Sequence, residues 1–231
     1  MLKKSFIKDL FSLFYPALCP LCEQPLLLGE MVICTVCRHD MPVIYDKNFK
    51  KNKIATVFYG KIPIVYATSF LLFQKEGKVK KLIHELKYRG NQSIGIFLGK
   101  WFGTLLLHSV IFKDIDIVIP VPLHKKKQRK RGYNQLTTFG ESISKILNIP
   151  YMEGVLLRSS VSKSQTFKNR FERFSDLTTK FYVSDHTILE NKHILLIDDV
   201  ITTGATLEAC CLELQKTPAI KISIITMAAT E

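Results

Sequence analysis

The sequence predicts an α/β fold in which helices flank a mainly parallel sheet, with a small cysteine-rich module at the N-terminus. From residue 66 to residue 227, apolar runs of strand length alternate with segments of helical periodicity. Such alternation is typical of a parallel sheet whose two faces are both covered by helices. Ahead of that region, four cysteines stand as two closely spaced pairs. A chain of 231 residues can hold one such domain and a small appendage.

The individual elements follow from the spacing of apolar residues and from the positions of prolines. One helix face is formed by Val79, Leu82, Ile83 and Leu86. The predicted elements are strands at 66–73, 115–122, 193–197 and 222–227, and helices at 79–86, 94–107, 134–147 and between the last two strands. We interpret the charged stretch 42–56 as a connector, which gives a zinc-binding module at 1–45 and the main domain at 46–231.

Four of the six cysteines form the pairs Cys19/Cys22 and Cys34/Cys37, with eleven residues between the pairs. A two-residue gap lets two thiolates face one ion from a single turn, and two such turns complete the tetrahedron that zinc prefers. The rival interpretation is a redox-active pair, which two pairs so close together disfavour. The sequence therefore predicts a structural zinc site. It would stabilise a segment of about 45 residues that is too small to fold on its own apolar core.

The balance of charge favours polyanionic partners. Thirty-three lysines and arginines against twenty acidic residues leave a net charge of +13, which suits nucleic acid, pyrophosphate groups or an anionic membrane surface. Six of the seven residues from 125 to 131 are basic, and Tyr88 and Tyr133 are available to stack on unpaired bases. The alternative is the solvated face of a basic protein. The expected contacts of single-stranded nucleic acid are Lys125, Lys126, Lys127, Arg129 and Lys130.

Nothing in the sequence predicts insertion into a membrane. No segment holds the roughly 20 consecutive apolar residues that a membrane-spanning helix needs. Apolar positions between 6 and 14 suit one face of a short helix, which we expect to dock on the protein itself, with a membrane as the alternative. Lysines interrupt the apolar stretch that a signal peptide would require. The expected location is the cytoplasm, where thiols stay reduced.

The run from Ile194 to Thr206 carries the strongest functional signal. An apolar strand delivers two adjacent carboxylates, Asp198 and Asp199, at its C-terminal end, where open α/β sheets bind ligands. A loop of small and hydroxyl-bearing residues then opens a helix: Thr202, Thr203, Gly204, Ala205 and Thr206. Backbone N–H groups, hydroxyls and the helix N-terminus favour a phosphate there, whereas the acids suit the hydroxyls of a ribose. The lysine of a P-loop is absent, so an ATPase fits poorly.

These residues resemble a known motif. The run DDVITTGAT at 198–206 is similar to the 5-phosphoribosyl-1-pyrophosphate (PRPP) motif of type I phosphoribosyltransferases, and more closely to the ComF family. Three further segments are typical of ComF proteins: the pairs CPLC and CTVC, the segment PVPLH at 120–124 followed by RGYNQ at 131–135, and QTFKNRFER at 165–173. Their order along nearly the whole chain makes the resemblance specific.

The resemblance implies a type I phosphoribosyltransferase fold with a PRPP site. Asp198 and Asp199 would hold the ribose hydroxyls directly or through Mg²⁺, and residues 202–206 would cradle the 5-phosphate. The residues implied on the pyrophosphate side are Pro122, Leu123 and Arg131.

The resemblance also implies a flap that closes over the ligand. Its implied contacts with the ligand are Gln165, Arg170 and Arg173. The alternative for the two arginines is that they are charged surface residues exposed to solvent. Lys168 and Asp176 stand where the family pattern usually has leucine and asparagine, which weakens the expectation of a closed flap of the family type.

For function, the resemblance implies a cytoplasmic accessory role in DNA uptake, with PRPP bound as substrate or signal and with DNA-uptake or recombination proteins as partners. The alternative is an active phosphoribosyltransferase that moves ribosyl phosphate from PRPP to a nitrogen nucleophile with loss of pyrophosphate. Both hypotheses use the same site and differ in the acceptor pocket. Since only 25 residues follow Thr206, we expect any hood that reads a base to come from residues 57–90 or from the zinc-binding module.

Overall fold

Four parallel strands form the central sheet. The computed structural model describes residues 15–44, 52–159 and 181–230. Its strands are β1 (Ala67–Phe73), β2 (Ile117–Pro120), β3 (Leu156–Arg158), β4 (Phe181–Val183), β5 (His193–Ile201) and β6 (Lys221–Thr230). The central sheet has the order β1–β6–β5–β2 and its three pairings are parallel, as predicted, whereas β3 and β4 form a separate antiparallel pair.

Helices surround this sheet. Those in the described residues are α1 (Thr35–His39), α2 (Lys53–Thr56), α3 (Lys78–Tyr88), α4 (Ser93–Leu107), α5 (Lys125–Arg131), α6 (Gln135–Leu147) and α7 (Ala205–Leu214). Helices α3, α4 and α6 confirm the helices predicted from the spacing of apolar residues, because the residues at helical spacing are buried. Within the described ranges, every helix is too short or too polar to cross a bilayer.

The middle strands β5 and β6 are buried on both faces, which explains their continuous apolar sequences. Residues 193–197 and 222–229 are all buried. His193 is a polar member of this core, and its Nε2 lies 2.8 Å from Oγ of Ser223, so the ring nitrogen is paired. Burial lowers the pKa of His193, which keeps the ring neutral at physiological pH.

Helices α4 and α6 approach closely because three glycines share one face of α4. Gly95, Gly99 and Gly103 follow one another at intervals of four residues. A Cβ atom at Gly99 would lie 2.5 Å from the carbonyl oxygen of Phe139 in α6, so glycine is required at this contact. The contact fixes the position of α6, whose first residue, Gln135, reaches the candidate site.

The interpretation of residues 42–56 as a charged connector is wrong where the structure describes it. Val43 forms an antiparallel bridge with Leu71 of β1, so this segment extends the sheet. Asn52 caps α2 by accepting from two backbone N–H groups, and the apolar residues of α2 are buried. Both ends of the segment 42–56 are therefore packed against the rest of the protein. Residues 45–51 lie outside the described part. The domain division at residue 45 stays a prediction.

Two further elements differ from the sequence prediction. Strand β5 continues to Ile201 rather than ending at Ile197, because its parallel pairing with β6 extends to the contact between Ile201 and Ala229. The basic segment at 125–131 forms helix α5, which His124 caps at its N-terminus and Gly132 ends at a φ of +77°. Because β5 is longer than predicted, the acidic pair lies within a strand rather than in a loop.

Candidate functional site

The acidic pair lies where β5 extends past its neighbour β2. Pro120, the last residue of β2, pairs with Ile197 of β5. Asp198 and Asp199 come next in β5 and have no strand partner on that side within the described residues. This opening at the carboxyl edge of a parallel sheet is where open α/β proteins bind ligands.

Both carboxylate oxygens of Asp199 are held by side chains from two helices. The ammonium nitrogen of Lys87, near the end of α3, lies 2.8 Å from Oδ1. Nε2 of Gln135, the first residue of α6, donates to Oδ2 at 2.5 Å. The side chains of Lys87 and Asp199 are 18% and 13% exposed, so solvent screens this ion pair less than it screens a surface pair. A ligand that uses Asp199 must displace or share these partners.

Asp198 holds its proton more tightly than an ordinary carboxyl group. Burial, and next the negative charge of Asp199, raise the pKa of Asp198 to about 7. The backbone N–H of Asp199 donates to Oδ1 of Asp198 at 2.8 Å and partly offsets this effect. Asp198 is therefore partly protonated near neutral pH, and a bound cation would favour its ionised form.

The turn after β5 presents small polar residues to solvent. Thr202, Thr203, Ala205 and Thr206 are exposed, whereas Gly204 is buried with a φ of +76°. A Cβ atom at Gly204 would lie 2.5 Å from Cγ1 of Val57, so both backbone conformation and packing require glycine there. Helix α7 begins at the next residue, and its N-terminal N–H groups favour an anion. The structure thus places the predicted phosphate loop beside the acidic pair.

A basic cleft adjoins the acidic pair on the side of α3 and α5. Its volume is about 310 Å³, and it is lined by Lys87, Tyr88, Gly90, Lys127, Lys130, Arg131 and Tyr133. Nη1 of Arg131 donates to Oε1 of Gln135 at 2.7 Å, and its guanidinium carbon lies 5.1 Å from the centre of the Tyr88 ring. Gln135 in turn contacts Asp199. A continuous set of contacts therefore joins this cleft to the acidic pair.

Helix α5 concentrates positive charge on the surface. The side chains at 125–130 are exposed, including all five lysines and arginines predicted to contact nucleic acid. Pairs four residues apart, such as Lys126 and Lys130, carry like charges that destabilise an isolated helix. Among the described residues, no carboxylate lies within ion-pairing distance of these five side chains. A bound polyanion would relieve this repulsion.

The residues predicted on the pyrophosphate side do not form one group. Pro122 and Leu123 line a small cleft of about 130 Å³ together with Lys125 and Arg158. Arg131 instead lines the basic cleft next to Lys87. Their shared role stays a prediction. Gln165, Arg170 and Arg173, the predicted flap residues, lie outside the described residues.

The four N-terminal cysteines converge as the spacing predicts. The sulfur atoms of Cys19, Cys22, Cys34 and Cys37 all lie within 4.8 Å of one another. Tetrahedral zinc–thiolate bonds of about 2.3 Å bring sulfurs to such separations, so this cluster fits a zinc ion. Burial alone would raise the pKa of Cys19, but backbone N–H donors, that of Cys34 first, lower it to about 7. The cluster can therefore hold a metal such as zinc.

Sequence reasoning missed the two side chains that contact Asp199. In the sequence, Lys87 contributes only to the net positive charge, and Gln135 only ends the RGYNQ segment. Neither role is visible in local periodicity, because the contacts join elements far apart in the chain. The one available signal was the position of Gln135 at the start of a helix that the sequence predicts correctly.

Comparison with known proteins identifies a domain and several relatives. Residues 136–230 match the phosphoribosyl transferase domain family. The chain is 25% identical over 202 residues to the DNA utilization protein YhgH of Shigella flexneri, a match that covers 83% of this chain and 87% of that protein. It is 27% identical over 214 residues to the competence protein ComFC of Bacillus subtilis, covering 91% of this chain and 77% of that one.

A solved structure also matches. The glutamine PRPP amidotransferase of B. subtilis, in complex with ADP and GMP, matches with a TM-score of 0.40 and 16% identity. The match covers 61% of this chain, and the chain spans only 30% of the length of the amidotransferase.

Proposed function

Since the chain is a ComF-family protein with the fold of type I phosphoribosyltransferases, we propose that it binds PRPP at the acidic pair and single-stranded DNA at helix α5, as a cytoplasmic accessory protein of DNA uptake. The names of the relatives, DNA utilization protein and competence protein, support the DNA role. The six cysteines all lie in the described residues and none forms a disulfide, which supports the cytoplasm, where thiols stay reduced. DNA-uptake or recombination proteins are the corresponding partners.

One observation carries the PRPP proposal: two carboxylates stand three residues ahead of an exposed turn that opens a helix. Carboxylates accept hydrogen bonds from the hydroxyls of a ribose, whereas they repel phosphate. The turn at 202–204 and the first N–H groups of α7 donate to a phosphate. Asp198 and Asp199 therefore select the sugar, and the turn selects its 5-phosphate.

Mg²⁺ is the cation that this donor set favours. It prefers oxygen ligands and combines one or two carboxylates with phosphate oxygens of a substrate. Asp198 and Asp199 offer such oxygens, although Lys87 already contacts one of them. When bound, Mg²⁺ would neutralise charge on the pyrophosphate group. Gln135 orients Asp199 toward the sugar, whereas Lys87 must share or release the oxygen that it contacts when the ligand binds.

The cysteine cluster is a structural zinc site in this proposal. All four of its possible ligand positions are filled by thiolates, so no position is open for water or substrate. The module contacts the main domain through Arg38, whose guanidinium carbon lies 4.8 Å from the centre of the Trp101 ring in α4. Asp40 forms a second contact, an ion pair of 2.8 Å with Lys78 of α3. Zinc therefore stabilises the module and its position on α3 and α4.

The PRPP proposal is tested by titration calorimetry with PRPP and Mg²⁺. We expect the Asp198→Asn/Asp199→Asn double variant to lose at least about tenfold in affinity, because two charged contacts are removed. Glu190→Gln is a control for the loss of an acidic side chain, since Glu190 is exposed ahead of β5, at the end of the strand opposite the acidic pair. Normal PRPP binding by a folded double variant contradicts the placement of the site.

The DNA proposal is tested by fluorescence anisotropy with a labelled oligo-dT strand at several salt concentrations. Log affinity should fall linearly with log salt, by about 0.7 per neutralised phosphate, so Lys126→Gln/Arg129→Gln should reduce the slope by about 1.4. Lys113→Gln/Lys145→Gln removes the same charge at exposed positions away from α5. Binding that is indifferent to salt, or an equal effect of both pairs of substitutions, contradicts the proposal.

An active phosphoribosyltransferase is the second candidate function, and the pKa of Asp198 favours it. A carboxyl group with a pKa of about 7 can accept a proton from a nitrogen nucleophile near neutral pH. The test is release of pyrophosphate from PRPP and Mg²⁺ in the presence of a panel of bases and amines. Sustained release with one acceptor, abolished by Asp198→Asn, supports transfer, whereas no release above the rate without enzyme supports a binding role.

A further inference from the structure

The basic cleft between α3 and α5 combines cations with aromatic surface. Four cationic side chains line it, namely Lys87, Lys127, Lys130 and Arg131. The ring of Tyr88 is 62% exposed, whereas the hydroxyl of Tyr133 donates to the carbonyl oxygen of Leu86, which fixes the second ring. A volume of about 310 Å³ lies at the lower end of the range for small-molecule sites.

This chemistry suits one nucleotide of a single strand. The cations attract a phosphate group, while the exposed ring of Tyr88 offers a stacking surface that every base can use. Arg131 already lies over the Tyr88 ring and so orders the aromatic side of the cleft. Sugar hydroxyls alone would not explain four cations that line one cleft.

Lys87 belongs to two sites at once. It lines the cleft, and its ammonium nitrogen lies 2.8 Å from Oδ1 of Asp199. Arg131 has a similar double position, because it lines the cleft and holds Gln135, which donates to the other oxygen of Asp199. A phosphate in the cleft competes with Asp199 for Lys87, and with Gln135 for Arg131.

We propose that the cleft binds one phosphorylated nucleotide of single-stranded DNA and that Lys87 couples this nucleotide to the acidic pair. The phosphate draws Lys87 away from Asp199, which frees a carboxylate oxygen for the ribose or for Mg²⁺. DNA therefore strengthens PRPP binding, and by linkage PRPP strengthens DNA binding by the same factor. The coupling rests on the proposed function, because it assumes that PRPP binds at Asp199.

The coupling is measured by titrating PRPP and Mg²⁺ into the full-length protein with and without saturating 5′-phosphorylated oligo-dT. We expect PRPP to bind about five times more tightly with the oligonucleotide, at the lower end of typical coupling between sites. Lys87→Gln should bind both ligands with a coupling factor close to one. An unchanged or weaker affinity of the wild-type protein for PRPP in the presence of DNA overturns the coupling, as does full coupling in Lys87→Gln.

The cleft itself is tested without PRPP. Tyr88→Ala should weaken binding of the same oligonucleotide by about tenfold, because one base loses its stacking surface. Tyr59→Ala is the matched control, since Tyr59 is 89% exposed and lies outside the cleft. Equal DNA affinity of Tyr88→Ala and Tyr59→Ala overturns the nucleotide site. If the wild-type protein binds DNA through Tyr88 but binds no PRPP with or without the oligonucleotide, the PRPP proposal is wrong and the nucleotide site in the cleft is still supported.

Discussion

The ammonium nitrogen of Lys87 lies 2.8 Å from Oδ1 of Asp199, and this ion pair joins the end of α3 to the acidic pair of β5. It explains how two adjacent carboxylates are tolerated at a half-buried position. Lys87 compensates the charge of Asp199, while Asp198 keeps a raised pKa because burial and Asp199 disfavour its ionised form. Asp198 is therefore the acid whose protonation should respond to ligands and to pH.

Stability should fall as pH rises through the titration of Asp198. Its pKa is about 7 in the folded protein and about 3.9 in an unfolded chain. Between these values the folded state keeps a proton that the unfolded state has released, so the free energy of unfolding decreases with rising pH. Asp198→Asn removes this titration, and we expect the variant to gain stability relative to wild type between about pH 4 and pH 7. Chemical denaturation at a series of pH values measures the difference.

An oppositely shifted carboxylate provides the control for this measurement. Hydrogen bonds from the side chain and backbone of Thr187 hold the pKa of Asp185 below its usual range. Its contribution to stability is lost only as pH falls below about 4. Asp185→Asn should therefore leave the pH dependence between about 5 and 8 unchanged. A parallel pH dependence of wild type and Asp198→Asn would mean that Asp198 titrates normally.

The contact between α4 and α6 should tolerate no side chain at Gly99. A Cβ atom there would lie 2.5 Å from the backbone oxygen of Phe139, and backbone yields less easily than a flexible side chain. Overpacking costs about 1–3 kcal/mol, whereas valine regains only a few tenths of a kcal/mol over glycine in helix propensity. Gly99→Val should therefore lower the free energy of unfolding by about 1–3 kcal/mol in urea titration.

Lys100→Val is the matched control for Gly99→Val, because Lys100 is the next residue of α4 and is exposed. It introduces the same side chain without the clash and should stay within about 0.5 kcal/mol of wild type. Gly99→Val should also weaken PRPP binding, since a displaced α6 moves Gln135 away from Asp199. Equal stability of the two variants contradicts the close helix contact.

The sequence predicts the strands and helices better than the side-chain contacts of the candidate site. Strands β1, β5 and β6 are long apolar runs, and helices α3, α4 and α6 have apolar residues at helical spacing, so the pattern of apolar residues identifies them. The spacing of Cys19, Cys22, Cys34 and Cys37 likewise predicts their convergence, because a two-residue gap has few backbone solutions. Contacts such as that of Lys87 with Asp199 depend on how distant elements pack. No local pattern encodes them.

Short elements were missed for a different reason. Helix α5 has no buried residue, so no apolar period marks it, and only the cap at His124 and the left-handed Gly132 define its ends. Helix α2 has four residues, fewer than the length over which periodicity can be recognised. Residues of α5 line the basic cleft, and Val57, the C-cap residue of α2, lies against Gly204, so segments without a detectable apolar period contribute to the candidate site.

Removal of one cysteine ligand should cost both metal and stability. Cys22→Ser leaves three thiolates, and we expect the zinc content to fall well below one ion per chain and the melting temperature to drop, as metal binding and folding of such small modules are linked. Metal analysis of the purified protein and thermal unfolding with and without a chelator measure the two effects. Cys211→Ser is the control, since Cys211 is buried in α7 and should lower stability without loss of zinc. Unchanged zinc content in Cys22→Ser rules out the four-cysteine site.

A double-variant experiment separates the two requirements for glycine at position 204. Gly204 has a φ of +76°, and a Cβ atom there would lie 2.5 Å from Cγ1 of Val57. The left-handed conformation costs a non-glycine residue about 1–2 kcal/mol, and the clash with Val57 adds to it. Gly204→Ala should therefore lose at least about 1 kcal/mol in stability and weaken PRPP binding. Val57→Ala added to Gly204→Ala removes the clash but not the backbone strain, so only part of the loss should be recovered beyond the effect of Val57→Ala alone. Full recovery would show that packing alone requires glycine, and no recovery would show that the backbone alone requires it.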